Sequence, residues 1–200
     1  MNTMKTIRIP ALKKLTNPAE LSQYGATYFQ CSGLPIPPAY LQSTSNRVYG
    51  IYYNRQMIGG FILGKGATLR TLEVFAQPDA RQRLYQELGV TSECTEITCF
   101  WIAPQFRRNT MLNTFVWLCL GFTLSRFGAP NVIFGTCSAS LAKLYSTTPK
   151  AILIHQDRMN GKNTFIFRGD RQVSVRAFAD ILRHKWARLI QIQSRRISAA

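Results

Sequence analysis

The order of strand-like and helix-like segments predicts an α+β domain built around a mixed sheet. Runs of β-branched and aromatic residues alternate along the chain with segments whose apolar residues recur at helical spacing. A unit of strand, bend and helix occupies residues 95–128, with a hairpin signal before and after it. The chain has 200 residues, 46% of them hydrophobic, which is enough for one core of ordinary size.

The first forty residues predict a short strand, a helix and a loop. A β-like run at Lys5–Pro10 is ended by its proline. A helix is predicted at Pro18–Tyr28, because Asn17 is a favourable N-cap and proline is favoured at the first helical position. The closely spaced prolines of Gly33–Pro38 predict a rigid loop.

The next segment predicts a hairpin followed by a polar helix. Val48–Tyr53 and Met57–Leu63 have the composition of apolar strands, and the polar residues 54–56 between them predict the turn. A short polar helix is predicted at Pro78–Leu88, where Gly89 supplies the stop signal.

The central unit combines a strand, a bend and a long apolar helix. Thr95–Ala103 is rich in β-branched and aromatic residues and is stopped by Pro104. Apolar residues then recur at helical spacing over Met111–Phe127, and Gly128 ends the helix. A strand that feeds a helix through a bend places the helix's unpaired amide donors beside the strand end, and such amides bind anions.

The chain after the central helix predicts a strand, a short helix and a second hairpin. The strand is Asn131–Thr136 and the short helix is Ala139–Thr147. Two further strands are predicted at Ala151–His155 and Thr164–Phe167, and Asn160-Gly161 between them is a strong hairpin-turn signal.

Residues 171–200 are predicted as a basic amphipathic helical extension of a domain that spans residues 1–170. Its apolar residues fall near one helical face: Val175, Phe178, Leu182, Trp186, Leu189 and Ile190. Its basic residues occupy the remainder: Arg176, Arg183, Lys185, Arg188, Arg195 and Arg196. Two interpretations stay open, a helix packed on the domain with a solvated basic face, and a docking helix for an acidic partner or a membrane surface.

Net charge is the unusual feature of the composition. The chain has 25 Lys and Arg against 9 Asp and Glu, a formal charge of +16. Such a surplus attracts anionic partners and speeds their encounter. The expected partner is therefore acidic: an acidic protein or carrier protein first, with an anionic membrane surface or RNA as alternatives. Nucleic acid ranks below protein, because the aromatic residues lie mostly in apolar runs typical of a core.

The sequence predicts a cytoplasmic protein with reduced thiols. No apolar stretch is long enough to span a membrane, and the first ten residues show no export signal. The cysteines are odd in number and scattered, which favours core thiols over a disulfide frame or a zinc site. They are Cys31, Cys94, Cys99, Cys119 and Cys137.

The segment 104–108, Pro-Gln-Phe-Arg-Arg, followed by an apolar helix that ends at Gly128, resembles the acyl-CoA signature of the GCN5-related N-acetyltransferases, the GNAT superfamily. That signature runs through Pro, an acidic residue or Gln, an aromatic residue and Arg to a Gly-x-Gly that opens a long helix. Thr110 and Leu112 stand here in place of the glycines, so the pyrophosphate loop is degenerate.

The resemblance continues downstream and implies the fold. Residues 131–135 resemble the family's fifth strand, and residues 139–147 resemble the short helix that follows it. A member of this superfamily has a mixed, mostly antiparallel central sheet flanked by helices. Its donor is acetyl-CoA or another acyl-CoA, and the resemblance implies no metal.

The resemblance also implies site residues. The backbone amides near Trp101 and Ile102 would face the thioester carbonyl, and Tyr145 would protonate the departing CoA thiolate. Arg107 and Arg108 would lie near the phosphates, although in so basic a chain both could be plain surface charges. Phosphate-binding amides would come from Asn109, Thr110, Met111 and Leu112.

A catalytic base is predicted from strand alternation. Glu96 opens the central strand, on the face of Thr98 and Phe100, and it is the first choice; Glu73 and Glu93 are weaker choices. A solvated carboxylate at a strand edge is the alternative for Glu96, and a core tyrosine is the alternative for Tyr145.

Two functions fit these observations. The first is an N-acyltransferase that moves an acyl group from acyl-CoA, or from an acyl carrier, to an unknown amine. The second is a catalytically inactive protein of the same fold that binds an acidic protein complex, an anionic membrane or nucleic acid. The side chains of Thr110 and Leu112 discriminate between them, because either one could fill the phosphate space.

Overall fold

A computed structural model of the chain describes residues 9–65, 69–72, 78–87, 94–147, 151–159, 161–172 and 179. The elements of this part alternate between strands and helices. In chain order they are β1 (Ala11–Leu15), α1 (Pro18–Ser32), α2 (Pro38–Gln42), β2 (Asn46–Tyr53), β3 (Gln56–Lys65), α3 (Pro78–Glu87), β4 (Cys94–Ile102), α4 (Thr110–Phe127), β5 (Asn131–Thr136), α5 (Ala139–Ser146), β6 (Ile152–Met159) and β7 (Lys162–Asp170).

The strands form one seven-stranded sheet in the order β1-β2-β3-β4-β5-β7-β6. Strand β1 pairs antiparallel with β2, β5 pairs antiparallel with β7, and β6 pairs antiparallel with β7. Strand β4 pairs parallel with β5, from Cys94 opposite Asn131 to Ile97 opposite Phe134. The predicted fold class, a mixed and mostly antiparallel sheet flanked by helices, is confirmed.

The chain divides into two compact units, each with its own core. The first unit comprises the described residues of 1–62 and 99–116, and the second comprises those of 63–98 and 117–200. The predicted boundary near residue 170 stays a prediction, because the helix proposed for Val173–Arg196 lies almost wholly outside the described residues.

The first unit is built around helix α1 and the strands β1–β3. Asn17 caps α1 as predicted, since its side chain accepts a hydrogen bond from the amide of Ala19 at 2.8 Å. The helix runs four residues past the predicted Tyr28 and ends where Gly33 adopts a positive φ of 71°. Tyr24 on this helix is completely buried in the core.

The second unit has a smaller apolar cluster. It joins a 3-10 turn at Arg70–Leu72 to strands β4, β5 and β7. Its buried members are Leu69, Leu72, Cys94, Ile133 and Ile166.

The described part corrects the prediction at both edges of the sheet. Strand β1 begins after Pro10, and its register pairs Ala11 with Tyr52 and Leu15 with Val48. Residues 5–8 of the strand predicted at Lys5–Pro10 lie outside the described residues. A proline lacks the N–H for the sheet ladder, so it suits the entry to an edge strand. At the other edge, β6 and β7 extend well beyond the predicted ranges, around a turn in which Gly161 has a φ of 74°.

Candidate functional site

Strand β4 leads into the candidate site and contains a backbone irregularity. Cys99 has a φ of 51°, which is unusual for a residue other than glycine. The hydroxyl of buried Tyr24 donates a hydrogen bond to the carbonyl oxygen of Cys99 at 2.8 Å. A left-handed residue costs about 1–2 kcal/mol, and this hydrogen bond helps to hold it. Burial still alternates along this part of the strand, since Thr98 and Phe100 are partly exposed between buried neighbours.

The bend after β4 is held by hydrogen bonds from its own backbone and from Arg107. The amide of Ala103 donates to the carbonyl of Ile58 at 2.9 Å, and a 3-10 turn follows at Pro104–Phe106. The Nε of Arg107 donates to the carbonyl of Ile102 at 2.9 Å, so this arginine is anchored to the strand end. Arg108 next to it is exposed.

Trp101 and Ile102 at the end of β4 are buried in the first unit. The indole ring of Trp101 packs edge-on against Tyr24, with ring centroids 6.1 Å apart. Its Nε1 has no hydrogen-bond partner within the part of the chain that the structure describes. The predicted use of the Trp101 and Ile102 amides to polarise a carbonyl stays a prediction.

Asn109 caps helix α4. Its Oδ1 accepts a hydrogen bond from the amide of Leu112 at 3.1 Å, and its own amide donates to the carbonyl of Phe106 at 3.0 Å. The amides of Asn109 and Leu112 are therefore already engaged. The amides of Thr110 and Met111, in the first turn, have no carbonyl within the helix to bind. Asparagine before an apolar helix is an N-cap signal that the motif-based prediction did not use.

The two side chains that replace the family's glycines have different environments. Leu112 is 1% exposed and packs into the core, so its side chain is withdrawn from the surface. Thr110 is partly exposed. The first turn of α4 contains no acidic residue, and Arg107 and Arg108 precede it. The partial positive charge of the helix N-terminus and these two cations all favour an anion.

Glu96 holds a turn of the second unit. It is 0% exposed. Its carboxylate accepts hydrogen bonds from the amide of Arg70 at 3.0 Å, and from the amide and the hydroxyl of Thr71, both at 2.8 Å. A buried carboxylate is satisfied by such donors, so the expected solvated position at a strand edge is wrong. Its predicted role as base stays a prediction, and Glu73 and Glu93 lie outside the described residues.

Tyr145 lies in an aromatic cluster of the second unit. Its ring contacts Phe134 and Phe167 edge-on, with centroids 5.0 and 5.6 Å away, and those two rings stack on each other at 5.6 Å. Burial raises the pKa of the Tyr145 hydroxyl above its usual value of 10. The group is therefore protonated at neutral pH, the state from which a proton can be donated. Helix α5, which carries it, is capped by Ser138.

The predicted site residues thus fall into three groups. Trp101, Ile102 and the segment Arg107–Leu112 lie in succession in the first unit. In the second unit, Glu96 contacts the 70–71 turn while Tyr145 contacts the two phenylalanines, so these two have no partner in common among their described contacts.

Solved structures with this fold come from acyl- and acetyltransferases. An N-acyl amino acid synthase from uncultured soil microbes, FeeM, superposes with a TM-score of 0.59 at 12% identity, over 82% of this chain and 92% of that one. The ribosomal-protein-S18-alanine N-acetyltransferase from Escherichia coli gives 0.56 at 11% identity, over 81% and 94%. This chain has the GNAT fold.

A third GNAT structure is Arabidopsis thaliana NAA60 in complex with acetyl-CoA, with a TM-score of 0.55 at 8% identity, over 81% of this chain and 98% of that one. No protein-family model and no curated protein matches the sequence. The structural similarity confirms the predicted GNAT fold. Sequence identities of 8% to 12% do not indicate which substrate this protein uses.

The described residues contain neither a membrane-spanning helix nor a cluster of metal ligands. None of the helices in the ranges given above is long and apolar enough to cross a membrane. In the same ranges, no three His, Cys, Asp or Glu side chains come together as metal ligands would.

Proposed function

We propose that this protein is an N-acyltransferase that moves an acyl group from acyl-CoA to an amine. The fold is that of acyl- and acetyltransferases, and one of the similar proteins was solved with acetyl-CoA. An acyl group on an acidic carrier protein is the alternative donor, and the charge of +16 supports it.

One observation carries the proposal: Leu112, at one of the two positions where the family has glycine, is 1% exposed and is turned into the core, away from the space in front of the first turn. The amides of Thr110 and Met111 remain as donors, beside Arg107 and Arg108. The residues present therefore fit a pyrophosphate, with two amides and two cations as its partners.

The binding roles follow from these contacts. Acyl-CoA supplies an activated thioester. The proposal assigns its phosphates to Arg108, to the amides of Thr110 and Met111, and to the guanidinium nitrogens that Arg107 does not use on Ile102. Asn109 has a positioning role, because its side chain caps the helix that presents those amides. The amides near Trp101 and Ile102 are assigned to the thioester carbonyl.

Two proton transfers complete the reaction. Tyr145 is the proposed acid for the departing thiolate, since its hydroxyl keeps its proton at neutral pH. Glu96 is the proposed acceptor of the amine proton. Its carboxylate also holds the 70–71 turn through hydrogen bonds. Both the unfolding free energy and the turnover of Glu96→Gln therefore have to be measured.

The proposal is tested by calorimetric titration of acetyl-CoA into the protein and into Arg108→Gln. Loss of a charge-assisted contact to phosphate weakens binding about tenfold. Arg158→Gln is the matched control, since it removes an equal charge from the exposed strand β6. Equal affinity in all three proteins, or no binding of any acyl-CoA, would overturn the assignment.

A second function is favoured by one observation. Three donors already occupy the Glu96 carboxylate, which suits a protein that keeps the fold and binds an acidic partner without turnover. It predicts that acetyl-CoA transfer to a panel of amines stays at background, and that Tyr145→Phe changes no measured property. Transfer above background to any amine rejects this second function.

A further inference from the structure

Helix α4 carries apolar side chains on its outer face, where a surface helix ordinarily carries polar ones. Met111, Leu118 and Phe122 are 61%, 51% and 62% exposed, and half-buried Phe115 lies between them. Steps of four, three and four residues place the side chains on one line along the helix. Met111, Phe115, Leu118 and Phe122 are called the α4 stripe below.

The stripe is not the face by which α4 packs on the protein. The opposite side of the helix is buried, and it is apolar as well: Leu112, Val116, Leu120 and Leu124. A helix that is apolar on both sides has its second apolar side available for another environment. The stripe is therefore a candidate binding surface.

The charges around the stripe favour an anionic binding partner. Exposed Arg108 precedes α4, exposed Arg126 lies in its last turn, and the helix contains no Asp or Glu. The chain as a whole carries +16. Two such chains repel each other. An anionic surface is attracted.

The area of the stripe favours a lipid surface over an acidic protein as the binding partner. Eleven residues of helix rise about 16 Å, and a helix is about 10 Å across, whereas each partner of a stable protein complex buries about 800 Å². Four side chains on one helix fall far short of that area. A bilayer interface needs only apolar side chains that insert beneath the headgroups and cations that meet anionic lipid.

We propose that the α4 stripe docks this protein on the surface of a bilayer that contains anionic lipid. The helix lies in the plane of the interface, with Leu118 and Phe122 directed toward the acyl chains and Arg126 at the headgroups. The stripe shares Met111 with the proposed acyl-CoA contacts, but Leu118 and Phe122 lie two turns further along α4 than the amides that would make those contacts.

The test is co-sedimentation of the full chain with phosphatidylcholine vesicles that do or do not contain phosphatidylglycerol. We expect the protein to bind the anionic vesicles. Binding should weaken with added salt, because salt screens the attraction between the cationic side chains and the anionic lipid. The double variant Leu118→Gln/Phe122→Gln binds about tenfold more weakly, and Arg126→Gln about fivefold more weakly.

The matched control is Ile152→Gln/Leu153→Gln. These residues are 51% and 43% exposed on edge strand β6, so the variant removes a similar apolar surface at another place. It binds vesicles as the unmodified protein does. Equal binding by both double variants, or no preference for anionic vesicles, overturns the proposal.

Two further outcomes would assign the stripe to another occupant and overturn the proposal. Light scattering that shows a dimer, lost in Leu118→Gln/Phe122→Gln, assigns it to a second copy of the chain. A fall in melting temperature of several degrees for this variant, with none for the control, assigns it to residues of the same chain. An unchanged monomer with an unchanged melting temperature is the expected result.

Discussion

Tyr145 is fixed by aromatic packing, while its hydroxyl is the group with a proposed chemical role. The ring contacts Phe134 and Phe167, and phenylalanine keeps both contacts. We expect Tyr145→Phe to lower kcat about 100-fold, the lower range for loss of general acid catalysis, with an unchanged melting temperature. Steady-state kinetics and a thermal melt check this. A lower melting temperature with unchanged kcat would make Tyr145 a packing residue only.

Glu96 is the residue at which structural and catalytic roles compete. In Glu96→Gln the side-chain NH₂ replaces one carboxylate oxygen, so a donor faces either the amide of Arg70 or the amide of Thr71, which bond to different oxygens. Leaving that amide unsatisfied costs about 1–3 kcal/mol of the free energy of unfolding. Urea denaturation measures this cost.

A control for Glu96→Gln is Thr71→Val, which removes only the hydroxyl bond and costs about 1 kcal/mol. An unfolding free energy unchanged by Glu96→Gln, together with lost turnover, would contradict the anchoring role and leave the carboxylate as base alone.

At the scale of elements, the β2–β3 turn shows strain that one substitution relieves. Asn54 and Arg55 have φ values of 52° and 64°, as the two central residues of a tight hairpin turn require. Asparagine adopts this conformation readily, whereas arginine adopts it at an energetic cost. We expect Arg55→Gly to raise the free energy of unfolding by about 0.5–1 kcal/mol, and Asn54→Gly to raise it less. A destabilised Arg55→Gly protein would contradict this account.

Elements with strong end signals are the ones that the sequence predicts well. Asn17 begins α1 and Gly128 ends α4 as predicted, because caps and glycine act through local backbone geometry. The predicted end of α1 at Tyr28 is four residues too early, since the helix runs to Ser32 and is capped by Gly33. The positive φ of Cys99 has no such local signal. It depends on the hydroxyl of Tyr24, which is 75 residues away in the sequence. Local sequence patterns therefore do not predict it.

The candidate site was predictable in part, for the same reason. The motif at 104–108 and the helix after it predict an anion site, since a helix N-terminus can bind anions through its own backbone. Neither the motif nor the spacing shows that Leu112 turns into the core or that three donors surround Glu96. Those facts depend on packing between segments that are distant in the sequence.

At the scale of the whole molecule, the sheet and the surface charge have different proposed roles, the sheet in acyl transfer and the charge in attracting anionic partners. The seven-stranded sheet of the GNAT fold is the scaffold of the proposed acyl transfer. The charge of +16 attracts an anionic donor and an anionic surface alike. Under the two proposals, selectivity therefore rests on the local contacts of α4, at its first turn for the donor and along its stripe for the bilayer.

The central claim is that the first turn of α4 holds the phosphates of acyl-CoA. Amide hydrogen exchange, followed by mass spectrometry with and without acetyl-CoA, tests it directly. Ligand contacts to the amides of Thr110 and Met111 slow their exchange, because an amide bound to phosphate exchanges only when that bond opens. We predict protection concentrated in peptides that cover residues 105–114. Unchanged exchange there at saturating acetyl-CoA, or protection confined to other segments, would contradict the claim.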